Sequence, residues 1–290
     1  MTKHPNPAPR VYHSQPSQVG DGFTIRRPLP NQGLKQLSPF LLLDHAGPTE
    51  VPPSDYQRGV DEHPHRGFET VTIVYSGAIE HRDSAGHAGS IGPGGVQWMT
   101  AGAGVVHEEK HGREFSQQGG TLEMIQLWVN LPKAHKMTRP RYQEISAEQI
   151  PEVNISDSTV RVIAGNYQDE TGPAQTFTPL TMLDLRLAAN ARLELPITDG
   201  YNTAVYVLRG SVRANGTAVG EAELAVVEGA GQAIHLEADA ESVVLLLSGE
   251  PINEPVASYG PFVMNNSQEL VQAMQDYEQG KMGTLAAEIL

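Results

Sequence analysis

Glycine or proline falls about every eight to twelve residues through most of this chain, with short β-branched and aromatic runs between. Long helices cannot survive that punctuation, because glycine costs a helix interior about 1 kcal/mol and proline about 3. Short strands joined by tight turns can, and the pattern is that of sandwiches and barrels. Residues 70–76 (TVTIVYS), 122–129 (LEMIQLWV), 203–208 (TAVYVL) and 243–248 (VVLLLS) read as strands. One helix is predicted near the C-terminus. Asn266 as N-cap and Glu269 three residues on form a capping box, Leu270, Val271, Met274 and Tyr277 make an apolar stripe, and Gly280 ends it. The class is all-β with this one short helix.

At about one domain per 150 residues, 290 residues allow two cores. TVTIVYSGAI from Thr70 and TAVYVLRGSV from Thr203 align without gaps at an offset of 133, placing Gly77 on Gly210 and Ile79 on Val212. The two halves therefore look like copies of one β unit. Ser146–Ile150 reads as a short turn stopped by Pro151, and the polar stretch 151–159 as a linker. The expected division is 1–150 and 160–290.

Twenty Lys plus Arg against thirty-four Asp plus Glu give a net charge of −14, which opposes direct nucleic-acid binding. The acidic surface is compatible with a monomer. With no cysteine, a thiolate nucleophile and an iron–sulfur cluster are excluded, and a metal must rely on His, Asp or Glu. No stretch approaches the roughly 18 apolar residues of a membrane span, and MTKHPNPAPRVYHS lacks the apolar core of a secretory signal, so a cytoplasmic location is expected.

Seven of the eleven histidines, His45, His63, His65, His81, His87, His107 and His111, lie between positions 45 and 111. In an extended strand, residues two apart share a face, so His63-Pro64-His65 can point both imidazoles one way. His107-Glu108-Glu109 repeats the arrangement with His107 and Glu109. Two such strands side by side would bring His63, His65, His107 and Glu109 to one locus, a metal site of three imidazoles and a carboxylate. Glu69 has the parity of His63 and His65, which makes it a candidate neighbour of that site, although Gly67 can break the alternation. His81, His87 and His111 are read as lining an entrance or lying on the surface. His4, His13, His135 and His235 are read as ordinary surface or hydrogen-bonded residues.

The seven glycines from Gly86 to Gly104 do not form a phosphate loop, since no Lys-Ser/Thr follows and the run opens into the strand-like VQWMT. There is also no Gly-x-Ser-x-Gly elbow for a hydrolase.

HPHRGFETVTIVYSGAIEHRDSAGHAGSIGPGGVQWMTAGAGVVHEE, followed by MIQLWVNLP, closely resembles the pirin family of bicupins. RRPLPNQGLKQLSPFLLLDHAGP and GEPINEPVASYGPFVMNNSQELVQAM resemble that family's N- and C-terminal segments, so nearly the whole chain is covered. The resemblance implies two cupin (double-stranded β-helix) barrels packed face to face. It implies a metal in the first barrel on the residues matching His63, His65, His107 and Glu109. The second barrel is expected to be metal-free, because Pro196, Thr198 and Asn202 stand opposite His63, His65 and Glu69, and only Ala240, Ser242 and Val244 stand opposite the His107 region.

One or two positions would remain open on a six-coordinate metal, and these N/O donors suit Fe(II) best, with Mn, Ni, Cu and Zn as alternatives. The resemblance further implies a quercetin 2,3-dioxygenase, which cleaves a flavonol or related enolic substrate with O2 and releases carbon monoxide. Glu109 would both ligate the metal and take the 3-hydroxyl proton. Trp98, Met99, Met124 and Gln126 are candidate pocket walls that also read as barrel core. The alternative implied by the family is a non-enzymatic, metal- or redox-dependent regulator that binds a protein partner. A cupin-type sugar isomerase would need a basic phosphate-binding cluster that the region lacks.

Overall fold

The computed structural model describes residues 8–227 and 232–285. They fall into two compact units, each built from one seven-stranded and one four-stranded antiparallel sheet. Among the described residues, the histidine-bearing unit comprises 16–25, 42–147 and 252–285, and the other comprises 8–15, 26–41, 148–227 and 232–251.

The large sheet with most of its residues in the histidine-bearing unit runs Arg141–Ile145, Val96–Thr100, Phe68–Ser76, Gly120–Asn130, Phe40–Val51, Phe23–Leu29, Gln15–Val19. The small sheet runs Gly59–His65, Val105–His111, Ile79–Asp83, Ala88–Ile91. The second unit repeats this plan strand for strand. Its large sheet is Arg10–His13, Glu223–Val227, Asn202–Arg209, Ser242–Gly249, Leu180–Leu187, Ser158–Ala164, Glu152–Ile155, and its small sheet Arg192–Pro196, Ala233–Ala238, Val212–Ala214, Thr217–Val219. The repeated sequences fall on equivalent strands, and Gly77 and Gly210 occupy equivalent turns at φ +81° and +84°. A Cβ on Gly210 would sit 2.4 Å from the Glu241 carbonyl oxygen, so that turn needs glycine on two counts. Each unit is thus a double-stranded β-helix barrel. No helix among the described residues is long and apolar enough to cross a membrane.

The division into contiguous halves, 1–150 and 160–290, does not describe these units. Arg10–His13 pairs with Glu223–Val227 in the second unit, and the segment after Ile252 returns to the first. Nor is 151–159 a linker, because Glu152–Ile155 is a strand paired with Ser158–Ala164 through a turn at Ser156.

The two interiors differ. The second barrel is filled by aliphatic side chains, among them Leu193, Leu195, Val205, Val207, Ile234 and Leu236. The first has one apolar end, where Phe23, Ile25, Val74, Ile79, Leu122 and Met124 pack together. Further along the strands of Val74 and Met124, Thr72 and Gln126 replace the aliphatics, and Gln97 pairs beside Thr72. The opposite face of that sheet carries Glu69, which accepts a hydrogen bond from Thr100 Oγ1 at 2.7 Å and is nearly inaccessible. Burial pushes its carboxyl up to about 7, against the hydrogen bonding that favours ionisation.

The C-terminal segment is stitched to the first barrel. Its hairpin, Ala257–Tyr259 with Phe262–Met264, leads into the helix Ser267–Glu278, capped by Asn266 through a 2.9 Å bond from the Glu269 N–H. Glu269 reaches back to the N–H of Asn265, one residue before the predicted partner. The buried face also departs from the expected stripe. Leu270 and Ala273 pack with Val106, Phe262, Met264 and Met282, Asp276 is buried on the same helix, and Val271 and Tyr277 are exposed. Asp276 turns the helix, because its carboxylate meets the buried Arg66 guanidinium at 2.8 Å. Hydrogen bonds from Lys281, Arg66 and Gln272 hold that carboxyl well below the usual range. Nearby, buried Lys136 donates to the carbonyls of Gly67 and Val263 and to Asn130.

These contacts have measurable effects on stability. Asp276→Ala leaves the Arg66 charge buried without its partner and is expected to cost about 3 kcal/mol in urea denaturation. For Glu69, the folded chain retains a proton that the unfolded chain releases, so stability falls as pH rises from about 4.5 to about 7. Glu69→Gln is expected to stabilise the protein by up to about 3 kcal/mol at pH 8 and by about 1 or less at pH 5. A pH-independent difference would show that Glu69 is ionised in the fold.

Candidate metal centre

Gly59–His65 is the edge strand of the small sheet, which is why it tolerates Pro64, whose missing N–H would disrupt a central strand. Alternation sends His63 and His65 inward together. The antiparallel register sets His107 directly beside His63, and Val105 beside His65. The three imidazoles converge, each offering a nitrogen within 4.8 Å of the other two, with ring centroids 4.3–4.9 Å apart.

What lies behind each ring fixes its tautomer. His63 Nδ1 is 2.7 Å from the Asp61 carbonyl oxygen, and His65 Nδ1 is 3.3 Å from that of Pro261. Carbonyls only accept, so both Nδ1 atoms carry the proton and both Nε2 atoms present lone pairs, 3.1 Å apart. His107 Nδ1 lies 3.4 Å from His81 Nδ1. His81 in turn directs Nε2 at Asp83 Oδ2, 3.3 Å away. Among the described residues, buried His107 Nε2 has no hydrogen-bond partner. Burial, reinforced by the neighbouring imidazoles, lowers the pKa of His65 and His107 well below the usual histidine range. Two rings that burial keeps neutral, lone pairs facing one another and an orphaned buried nitrogen are what a cation requires, and the three histidines could hold a metal.

Glu109 shares the inward face of His107, on the far side of a register shift in the pairing with Gly59–His65. It is not in the group of converging donors. Gln97 Nε2 donates to its Oε1 at 2.6 Å, and Gln126 Nε2 is 3.4 Å from Oε2. Thr72 Oγ1 is 3.0 Å from Oε1 and 2.7 Å from Gln126 Oε1, and its single proton serves one of them. Tyr142 donates to Gln97 Oε1 at 3.3 Å, which leaves the Gln97 amide nitrogen for Glu109.

Glu69 is not a neighbour of the triad. Gly67, at φ +88°, breaks the chain between His65 and Phe68, so the two lie in different sheets and parity does not carry across. Phe68, Thr70 and Thr72 then face the histidines, with Phe68 and Trp128 packed against His65 at 4.9 and 5.3 Å. Glu69 and the fully buried Trp98 point the other way, so Trp98 is not a wall. Met99 packs with Val105 and Tyr142, and Met124 belongs to the apolar end. Gln126 alone of the four suggested walls reaches a site residue.

The His81 side chain is buried, stacked on Tyr142 with centroids 4.6 Å apart, and it touches His107. His111 is also buried, edge-on to Phe23 and Phe115, and burial with the Arg58 charge depresses it to about 4. His87 is partly exposed and bonds Asp83 at 2.9 Å. His45 pairs with Glu123 on the face away from the barrel interior, His13 and His235 pair with Glu223 and Glu194, His135 lies in a short 3₁₀ turn, and His4 is outside the described residues. Sequence reasoning passes over Thr72, Gln97, Trp128, Asp83 and Tyr142. The one available signal is the alternation Ile79-x-His81-x-Asp83 on a strand neighbouring His107.

Residues 22–129 match the family described as Pirin, and residues 182–283 match the Pirin C-terminal cupin domain. A Pseudomonas aeruginosa protein provisionally named as a quercetin 2,3-dioxygenase is 50% identical over 266 residues, covering 91% of this chain and 93% of its own. A pirin-like protein of Caulobacter vibrioides is 39% identical, with 95% and 98% covered. A solved structure described as quercetin 2,3-dioxygenase from Acinetobacter baumannii superimposes with a TM-score of 0.91 at 45% identity, over 95% of this chain and 97% of that one. Likeness of this degree runs through both barrels and takes in the histidine segments, and the chain belongs to the pirin family.

Proposed function

We propose that this protein is a metal-dependent dioxygenase that cleaves quercetin or a related flavonol or enolic compound with O2. The observation that carries the reading is the set of three inward Nε2 lone pairs, that of His107 buried and unpartnered. The names of the relatives at 50% and 45% identity supply the substrate class. His63, His65 and His107 would hold the metal, with Fe(II) preferred for these N/O donors and Mn, Ni, Cu or Zn as alternatives. Bound there, the metal would supply a Lewis-acid centre able to meet the substrate's adjacent oxygens and to engage O2.

The chain's own groups do the rest. Glu109 lies on the same inward face, and we assign it two roles, fourth ligand and general base for the 3-hydroxyl proton. The amides of Gln97 and Gln126 donate to its carboxylate oxygens and aim it. Phe68 and Trp128 pack against His65, which restricts that ring, and the half-buried Trp128 offers aromatic surface beside it. The overall change takes the flavonol and one O2 to a ring-opened ester and carbon monoxide, so all atoms are accounted for without an external reductant.

Two measurements test this. Protein loaded in turn with Fe, Mn, Ni, Cu and Zn is given quercetin, with oxygen uptake and flavonol absorbance followed together. Turnover with at least one metal is expected, and failure with all five removes the proposal. His107→Ala should lose both metal and turnover. Glu109→Gln should retain metal on the three histidines while turnover falls about 100-fold or more. An unchanged rate would show that Glu109 is not the base.

A further inference from the structure

We propose that His81 and Asp83 are positioning residues that hold His107 as its Nδ1–H tautomer and so aim its Nε2 lone pair at the metal. This rests on the three-histidine reading above and adds to it how the most buried of the three donors is set.

The three rings are fixed in different ways. His63 and His65 donate to backbone carbonyls, acceptors that no side-chain substitution removes. His107 has only another imidazole behind it, at 3.4 Å. Two imidazoles facing each other through Nδ1 are ambiguous, because either could donate. Asp83 removes the ambiguity. Its Oδ2 lies 3.3 Å from His81 Nε2, and a carboxylate can only accept, so His81 carries its proton on Nε2 and its Nδ1 is left as an acceptor. His107 must then donate from Nδ1, and its Nε2, buried with no other partner, keeps the lone pair.

The carboxylate itself is well secured. Oδ1 accepts from the N–H groups of Ala85 and His87 at 2.9 and 3.0 Å, and Oδ2 is 2.9 Å from His87 Nδ1. Although burial opposes ionisation, hydrogen bonds from His81 and from the side chain and N–H of His87 keep the Asp83 carboxyl below its ordinary value. Tyr142 lies nearly parallel to His81, with an interplanar angle of 8°, and fixes the plane of the ring. The strand register completes the alignment, since Asp83 pairs with His107 and His81 with Glu109. Carboxylate, imidazole, imidazole and lone pair thus form one directed chain of hydrogen bonds ending inside the barrel.

The test uses the full-length protein and three substitutions, with Co(II) as the probe. Nitrogen-15 NMR of the metal-free protein reads the His107 tautomer. Chelator competition gives the Co(II) affinity, and the visible d–d bands report the coordination geometry. His81→Leu removes the acceptor. Asp83→Asn presents a donor to His81 and so reverses its tautomer. His81→Asn puts an amide oxygen near the position of the lost Nδ1. The wild type is expected to show a single Nδ1–H tautomer at His107. His81→Leu and Asp83→Asn should give mixed or Nε2–H forms, a 10- to 100-fold weaker Co(II) affinity and altered bands. His81→Asn should recover the wild-type tautomer and come within about threefold of its affinity. If His81→Leu does not fold, the comparison of Asp83→Asn with His81→Asn decides the matter. A wild-type tautomer in folded His81→Leu or Asp83→Asn protein, or a changed tautomer with unchanged Co(II) affinity, would overturn the proposal. Failure of the metal reading is separate, since it would appear as Co(II) affinity unaltered by His107→Ala.

Discussion

The structure turns on one cross-strand pairing, His107 beside His63. The same register puts Val105 beside His65, and alternation then gathers three imidazoles on one inward face. Converging lone pairs are an unfavourable arrangement by themselves, and most of all at His107, whose buried Nε2 lacks, among the described residues, the hydrogen bond that water would have given it. The barrel tolerates this because most of its interior is satisfied elsewhere. One end is aliphatic, and the other carries Thr72, Gln97 and Gln126 bonded to Glu109. The second barrel has the same strand order and fills the corresponding space with leucine, valine and isoleucine. One architecture therefore serves in one place as a polar cage and in another as a plain hydrophobic core. The difference lies in a few inward positions, and none of the strand pairing had to change.

Much of this can be read from residue order. The strands expected at 70–76, 122–129, 203–208 and 243–248 appear as Phe68–Ser76, Gly120–Asn130, Asn202–Arg209 and Ser242–Gly249, each slightly longer, since turn residues at the ends still pair. The repeat at Thr70 and Thr203 falls on equivalent strands. His63, His65 and His107 come together because period-two alternation is a local property and their strands lie side by side. What residue order does not carry is register and distant partners. Counting parity to Glu69 runs through Gly67, where the chain changes sheets. The place of His81 is hidden because nothing local says which residue of a neighbouring strand it will face. The helix exposes Val271 and buries Asp276, since Arg66, 210 positions away, draws the carboxylate inward. Hydropathy alone puts a carboxylate outside.

The unit boundaries are illegible for the same reason. Composition marks 151–159 as polar, yet a paired edge strand can be polar too, and Glu152–Ile155 is one. Likewise, nothing in the segment after Ile252 says that it will leave the barrel it follows. Its destination is set by contacts with the first barrel, where Phe262 and Met264 meet Val106, and Asp276 meets Arg66.

That return has a consequence for how the molecule is made. His65 is oriented by the carbonyl of Pro261, a residue synthesised almost two hundred positions later. At about 5–20 residues per second, a ribosome has therefore left the three imidazoles translated for many seconds before the acceptor behind one of them exists. Nascent chains pass that interval with an unfinished cage, and the cage closes only when the tail of the polypeptide comes home.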